Sequence, residues 1–177
     1  RIIVDDVKKE MDICMEAGVD SIDIGMVPEL KELGEPLNVA EKALVMIDYA
    51  KELGVPISFG FIHMLAGDFD WMIGIIKSLP PNSLATYHLF EDEVGQPAVI
   101  RWMVRHLKGI LGETPIRMQV HNSLGLDMAN VIAGIEAGAE YADVGLNGHA
   151  GTPLEQLVPA LEIQYGIKTG IRLEGIY

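Results

Sequence analysis

The sequence predicts an α/β fold in which about five short parallel strands alternate with helices. Three observations lead to this prediction: a helix–glycine–strand unit that recurs along the chain, apolar spacing of helical period before each unit, and a short apolar run after it. The chain has 177 residues, 49% of them hydrophobic, which is enough apolar material for one buried core. We therefore expect a single domain over residues 1–177.

The recurring unit is the end of a helix, a glycine and a strand. Residues 16–26 (EAGVDSIDIGM) match residues 136–146 (EAGAEYADVGL) in register, and residues 51–61 (KELGVPISFGF) form a looser third copy. Each copy has a glycine, at position 18, 54 or 138, where a left-handed C-terminal helix cap is expected. The same joint therefore occurs three times.

The strands are predicted from the apolar runs that follow these joints. They are expected over residues 21–26, 56–62, 84–90, 115–120 and 141–146. Because these runs show little alternation, we expect a parallel sheet covered on both faces. Five such units fit either a doubly wound sheet or part of a (β/α) barrel, whose complete form needs about 250 residues.

The helix starts are predicted from capping signals. Asn38 with Glu41, and Thr152 with Glu155, have the spacing of capping boxes. Pro97 is expected to open a further helix, because proline suits the first helical position.

Charge and cysteine content exclude several classes of partner. Lys and Arg total 13 against 26 Asp and Glu, giving a net charge of −13, and the chain has no basic cluster for phosphate. We therefore expect no nucleic acid and no membrane as partners. The longest apolar runs, such as residues 71–76, are far shorter than the roughly 20 residues of a spanning helix. The single Cys14 favours a reducing, cytoplasmic location.

Candidate functional residues follow the predicted strands, because sites in parallel α/β folds form where strands end. His63, His121 and His149 come after three of the strands, and Glu91 after another. Gln119 and His121 are two residues apart, so strand alternation puts both side chains on one face, where they could share a divalent ion. A histidine at a strand end is also common as a hydrogen-bonded structural residue, so both interpretations stay open.

One stretch of the sequence resembles a known family. Residues 120–148 (VHNSLGLDMANVIAGIEAGAEYADVGLNG) resemble the signature of the metal-dependent carbon–carbon lyase and synthase superfamily, which includes 2-isopropylmalate and homocitrate synthases, hydroxymethylglutaryl-CoA lyase and 4-hydroxy-2-oxovalerate aldolase. Residues 92–95 (DEVG) and 152–155 (TPLE) resemble further motifs of that family. The resemblance implies a partial (β/α)8 TIM barrel, with the chain corresponding to strands four through eight.

The resemblance also implies an activity and a set of site residues. The family uses a divalent metal (Mn, Mg, Co or Zn) to make or break carbon–carbon bonds of small 2-oxo acids or acyl-CoA partners in aldol or Claisen-type reactions. By this resemblance His121 is a metal ligand, with Gln119 a weak second ligand. Because His149 is expected at the same edge of the sheet, it is a candidate third ligand. The same proximity makes His63 or Glu91 the candidate acid–base residue.

The sequence departs from the family pattern at several points, which leaves an alternative function open. Gln119 stands where the family has a first histidine, the loop around His149 is short, and the Asp-Arg-Glu motif of the family's first strand does not occur. The alternative is a catalytically inactive or incomplete barrel-derived domain that acts as a structural or regulatory partner. An incomplete barrel exposes strand edges, so we expect a homo-oligomer or association with a missing N-terminal part of the barrel.

Overall fold

A computed structural model describes most of the chain. It covers residues 4–26, 35–65, 67–91, 95–122, 124–149 and 151–176; the side chains of Val4, Asp5 and Glu91 lie outside the description. The helices are α1 Val4–Glu16, α2 Pro36–Leu53, α3 Phe69–Ser78, α4 Pro97–Leu111, α5 Asp127–Ala137 and α6 Leu154–Pro159. The strands are β1 Ile22–Met26, β2 Ile57–Ile62, β3 Thr86–Glu91, β4 Ile116–Val120, β5 Tyr141–Ala142, β6 Val144–Gly145 and β7 Thr152–Pro153.

The first five strands form one parallel sheet in chain order, β1-β2-β3-β4-β5, and β6 pairs with β7 beside it. Because crossovers between parallel strands are right-handed, this order brings the connecting helices to one face of the sheet. Helices α1 to α5 accordingly contact one another in sequence. The predicted α/β fold with five parallel strands and alternating helices is confirmed.

The core lies between the sheet and these helices. Phe59, Phe61, Leu89 and Met118 point to the helices and are at most 1% exposed. Complete burial of a side chain of this size contributes about 1.5 to 3 kcal/mol, so this layer contributes substantially to the stability of the fold.

The opposite face of the sheet, called the open face below, is polar. In β4 the buried residues alternate with half-buried ones, which leaves Arg117 and Gln119 on the open face. The expectation that both faces are covered is wrong for the described residues, where helices cover one face. The open face carries Asp23, Gly25, Ser58, Gly60, Ile62, Thr86, His88, Phe90, Arg117 and Gln119.

The predicted strand boundaries hold within two residues except at β5. The expected strand over residues 141–146 breaks at Asp143, after only two residues of ladder. The Asp143 amide still donates to the Met118 carbonyl over 2.8 Å, but its side chain turns to the guanidinium of Arg117. The last strand therefore divides into β5 and β6.

The glycine caps are confirmed and the capping boxes are wrong. Gly18, Gly54 and Gly138 have φ of 78°, 71° and 114°, so they end helices in the left-handed conformation that glycine tolerates. Helix α2 begins instead at Pro36, without a side-chain cap, because proline at the first position needs no partner for an N–H. Thr152 lies in the β7 ladder, and its hydroxyl is buried.

No helix among the described residues is long and apolar enough to cross a membrane.

Candidate functional site

The two residues of the predicted metal pair are adjacent at the carboxyl end of β4. Gln119 Nε2 lies 3.4 Å from His121 Nε2, and both side chains are half-buried on the open face. The local sequence explains this placement, because Ile116, Met118 and Val120 enter the core and direct the intervening positions outward. The predicted sharing of one face is confirmed.

The direction of this contact decides what the histidine can do. When the Gln119 amide donates to His121 Nε2, that nitrogen is an acceptor and the imidazole proton sits on Nδ1. The same lone pair on Nε2 would bind a metal ion. A half-turn of the amide would present its carbonyl oxygen to an ion held by His121.

These two donors fit part of the coordination shell of a divalent ion. An imidazole nitrogen suits transition metals, and an amide oxygen is a weaker ligand. Such ions take about four to six ligands in all. Within the described part of the chain, no three His, Cys, Asp or Glu side chains form a group that could hold a metal ion. The pair therefore supplies two ligands at most of a larger set.

The other candidates lie at the same end of the sheet. His63 begins the turn after β2 with φ of 57°, a left-handed conformation that few non-glycine residues adopt. It follows Ile62, which is in register with Phe90 and through it with Gln119. His63 is thus at the carboxyl edge, two strands away from the pair.

Glu91 and His149 are placed only in part. Glu91 is the last residue of β3 and is in register with Val120; its side chain lies outside the described part of the structure. His149 is exposed in the turn after the short 3-10 helix Leu146–Gly148, and its amide donates to the Leu146 carbonyl over 3.1 Å. Their roles stay predictions.

A ring formed by His88 and three charged residues, called the charged ring below, lies on the open face, nearer the amino ends of the strands than Gln119. His88 Nδ1 is 2.8 Å from Asp23 Oδ2, and its Nε2 is 3.6 Å from Asp143 Oδ2. Arg117 closes the ring: its Nε and Nη2 bind the Asp143 carboxylate at 2.7 and 2.8 Å, and its Nη1 binds Asp23 at 3.0 Å. The ring ties β1, β3 and β4 to the end of β5.

The ring shifts the pKa values of two members. Partial burial opposes the ionisation of Asp23, but the hydrogen bond from His88 and the charges of His88 and Arg117 outweigh it and hold the pKa of Asp23 below its ordinary value. Hydrogen bonds to Asp143 raise the pKa of Arg117 above its ordinary value, although partial burial acts in the opposite direction. Both groups are therefore held in their charged forms.

The sequence does not predict this ring. Its one visible signal is the occurrence of polar residues at alternate positions of otherwise apolar strands: Asp23 in β1, His88 in β3 and Arg117 in β4. Without the register, nothing in the sequence shows that His88 and Arg117 are directly paired, or that Asp23 lies within reach of both.

Family membership follows from comparison with known proteins. The model of the HMGL-like family matches residues 4–177, which is nearly the whole chain. The chain belongs to the HMGL-like family. The resemblance noted from the sequence is thus confirmed.

Curated relatives of this HMGL-like chain are longer than it is. A candidate (R)-citramalate synthase from Archaeoglobus fulgidus is 37% identical over 145 residues, which are 78% of this chain and 29% of the relative. The 2-isopropylmalate synthase of Methanocaldococcus jannaschii is 30% identical over 184 residues, covering 97% of this chain and 35% of the relative. The chain spans about a third of the length of these two relatives.

Solved structures share the fold of this HMGL-like chain. The hydroxymethylglutaryl-CoA lyase of Pseudomonas aeruginosa matches with a TM-score of 0.74 at 15% identity, over 95% of this chain and 63% of the lyase. The carboxyl transferase domain of Rhizobium etli pyruvate carboxylase, solved with oxalate, matches with a TM-score of 0.71 at 18% identity, over 90% of this chain and 27% of that chain. These likenesses confirm the partial TIM-barrel fold.

Proposed function

We propose that this chain forms the carboxyl-terminal part of a barrel enzyme that makes or breaks a carbon–carbon bond. The substrates would be small 2-oxo acids or acyl-CoA partners, because the relatives carry the names of synthases and lyases of such compounds. One observation carries the proposal: Gln119 and His121 are in contact at the carboxyl edge of the sheet, where parallel α/β enzymes place their sites.

The proposed ligands of a divalent cation (Mn, Mg, Co or Zn) are His121 and Gln119, with His149 as a third. When bound, such a cation stabilises the negative charge that develops on a substrate oxygen as the bond forms or breaks. The contribution of the chain is to hold the imidazole and the amide on one face before the cation arrives. Strand β4 does this through its three buried apolar residues.

His63 and Glu91 are the proposed acid–base residues. Both stand at the carboxyl edge, and the left-handed backbone at His63 fixes the turn that carries its ring. A histidine or carboxylate at this edge can hold or accept a proton from a bound substrate. Replacement of His63 by Gln is expected to lower kcat and to leave KM nearly unchanged, because it removes a proton carrier but not the contacts that bind the substrate.

The activity is tested on the purified chain. We expect metal-dependent release of free CoA from acetyl-CoA and a 2-oxo acid such as pyruvate, or metal-dependent release of pyruvate from an aldol. His121→Ala should abolish the activity, and His106→Ala, on the exposed surface of α4, should retain it. Turnover that is independent of metal, or that survives His121→Ala, would contradict the proposed site.

A second candidate is a barrel-derived domain without catalytic activity that acts as a structural or regulatory partner. Two observations favour it: Gln119 occupies the nitrogen of His121 that a metal would use, and β1 and β5 are the edge strands of the described sheet. Unpaired edges favour association with another chain or copy. A monodisperse monomer in sedimentation, together with metal-dependent turnover, would remove this candidate.

We further propose that residues 1–177 form one domain and that the protein is cytoplasmic. Its cysteine, Cys14, is a free thiol that is half-buried against the core, as expected in a reducing compartment. Thiol labelling of a fresh cell lysate tests the location. We expect Cys14 to be labelled, because it should be reduced in the cell.

A further inference from the structure

A column of three aromatic rings runs along the open face from the charged ring to His121. The rings of Phe90 and His121 have centroids 5.3 Å apart and planes inclined at 75°, an edge-to-face contact. Phe90 contacts His88 in the same way, with centroids 5.7 Å apart and an angle of 67°. Edge-to-face packing is the favoured geometry of aromatic pairs, so each ring restricts the orientation of the next.

The base of this column is held from two sides. His88 donates to Asp23 through Nδ1 and faces Asp143 through Nε2, and its side chain is only 9% exposed. Both carboxylates are in turn bound by Arg117. His88 therefore cannot rotate without breaking a contact to a carboxylate that is itself fixed.

The top of the column is the proposed metal ligand. Phe90 is half-buried and is in register with Gln119 in the neighbouring strand. The ring of His121 thus makes two contacts: it packs edge-to-face with Phe90, and its Nε2 contacts the amide of Gln119. Together these contacts favour one ring orientation, in which Nε2 points toward Gln119.

We infer that Phe90 is a positioning residue for His121, because its ring, standing on the fixed His88, holds the imidazole with Nε2 toward Gln119. This inference rests on the proposed function in one respect, namely that His121 binds a metal. The orientation of the imidazole without metal is a property of the chain itself. The proposed role of Phe90 is to act through His121.

The test compares Phe90→Leu and Phe90→Met, which keep an apolar side chain without a ring, with Phe90→Tyr, which restores the ring. Phe69→Leu is the matched control, because Phe69 packs on His106 at 5.6 Å between ring centroids, on the helices α3 and α4. Thermal melting identifies which Phe90 variants retain the fold. The conclusions are drawn from those variants.

The first measurement is the long-range ¹H–¹⁵N spectrum of the imidazoles in the metal-free protein. The chain has five histidines, so the signals of His121 are assigned by their loss in His121→Ala. We expect Phe90→Leu and Phe90→Met to change the ¹⁵N chemical shifts of the His121 ring. Phe90→Tyr and Phe69→Leu should leave these shifts unchanged. Unchanged His121 signals in the ring-deleted variants would overturn the inference.

The second measurement is Co²⁺ affinity by calorimetry, with the visible spectrum of the bound ion. Loss of an aromatic pair changes an equilibrium constant about three- to tenfold, so we expect this increase in Kd for the ring-deleted variants and none for Phe69→Leu. Equal affinity in all variants would overturn the inference. A wild-type chain that binds no Co²⁺ contradicts the proposed function instead, and the imidazole spectra then decide the role of Phe90.

Discussion

Gln119 Nε2 and His121 Nε2 lie 3.4 Å apart at the carboxyl end of β4. The contact joins the two residues that the sequence pattern selects as a metal pair. In this arrangement the amide serves as a partner for the nitrogen that a metal would need. The proposed cation site therefore predicts that the identity of residue 119 controls how readily His121 accepts a cation.

Gln119→His should strengthen binding of a divalent transition metal. An imidazole is a better ligand than an amide oxygen, and the new ring would replace the donor at His121 Nε2. We expect the Kd for Co²⁺ or Zn²⁺, measured by calorimetry, to fall about tenfold or more. Gln164→His, on the exposed surface, is the control and should leave this Kd unchanged. Equal affinities for the wild type and Gln119→His would show that position 119 does not face the cation.

Arg117→Met should destabilise the fold. The substitution removes three hydrogen bonds and leaves Asp23 and Asp143 without the guanidinium that binds both of them. Because these side chains are 25–35% exposed, solvent screens part of the loss, and we expect the free energy of unfolding in urea to fall by about 1 to 3 kcal/mol. Arg101→Met removes one exposed pair with Glu136, and its effect should stay below about 1 kcal/mol. A reversed order of the two variants would contradict the role of the ring.

The ring should also make stability depend on acid. The pKa of Asp23 is lower in the folded chain than in the unfolded one, so its contribution is fully present above the ordinary carboxyl value of about 4. It is lost as the pH falls through the lowered value, because the carboxylate facing His88 and Arg117 must then take up a proton. The difference between the urea midpoints of the wild type and Asp23→Asn should stay constant from about pH 6 to pH 5 and should then shrink as the pH falls to about 2.5. A constant difference between the two midpoints over that whole range would refute the role of Asp23. The control is Asp20→Asn, at an exposed position, whose midpoints should follow those of the wild type throughout.

Gly60→Ala should prevent or strongly weaken folding. A Cβ at Gly60, in the middle of β2, would collide with the carbonyl oxygen of His88 in the neighbouring strand. We expect a loss of about 3 kcal/mol or more in the free energy of unfolding, measured in urea. Gly109→Ala is the control, because that position in α4 has open space around it, and alanine should add about 0.5 to 1 kcal/mol there. A Gly60→Ala protein as stable as the wild type would contradict the close approach of β2 and β3.

The fold was accessible from the sequence because its signals are local. The glycines that end helices and the apolar runs after them indicate the order of the elements without knowledge of contacts. The placement of Gln119 and His121 on one face follows from strand alternation alone. The break at Asp143 was not accessible, because it depends on a guanidinium 26 residues away in the chain. The charged ring was missed for the same reason, since it exists only in the register of four strands.

The proposed function rests on the claim that His121 is one of the cation ligands, and calorimetry with Mn²⁺ or Co²⁺ examines this claim without any substrate. The wild type should bind one equivalent, His121→Ala should weaken binding at least about tenfold, and His106→Ala, an exposed histidine of α4, should bind as the wild type does. Absence of divalent binding by the wild type, or equal binding by His121→Ala, would contradict the claim.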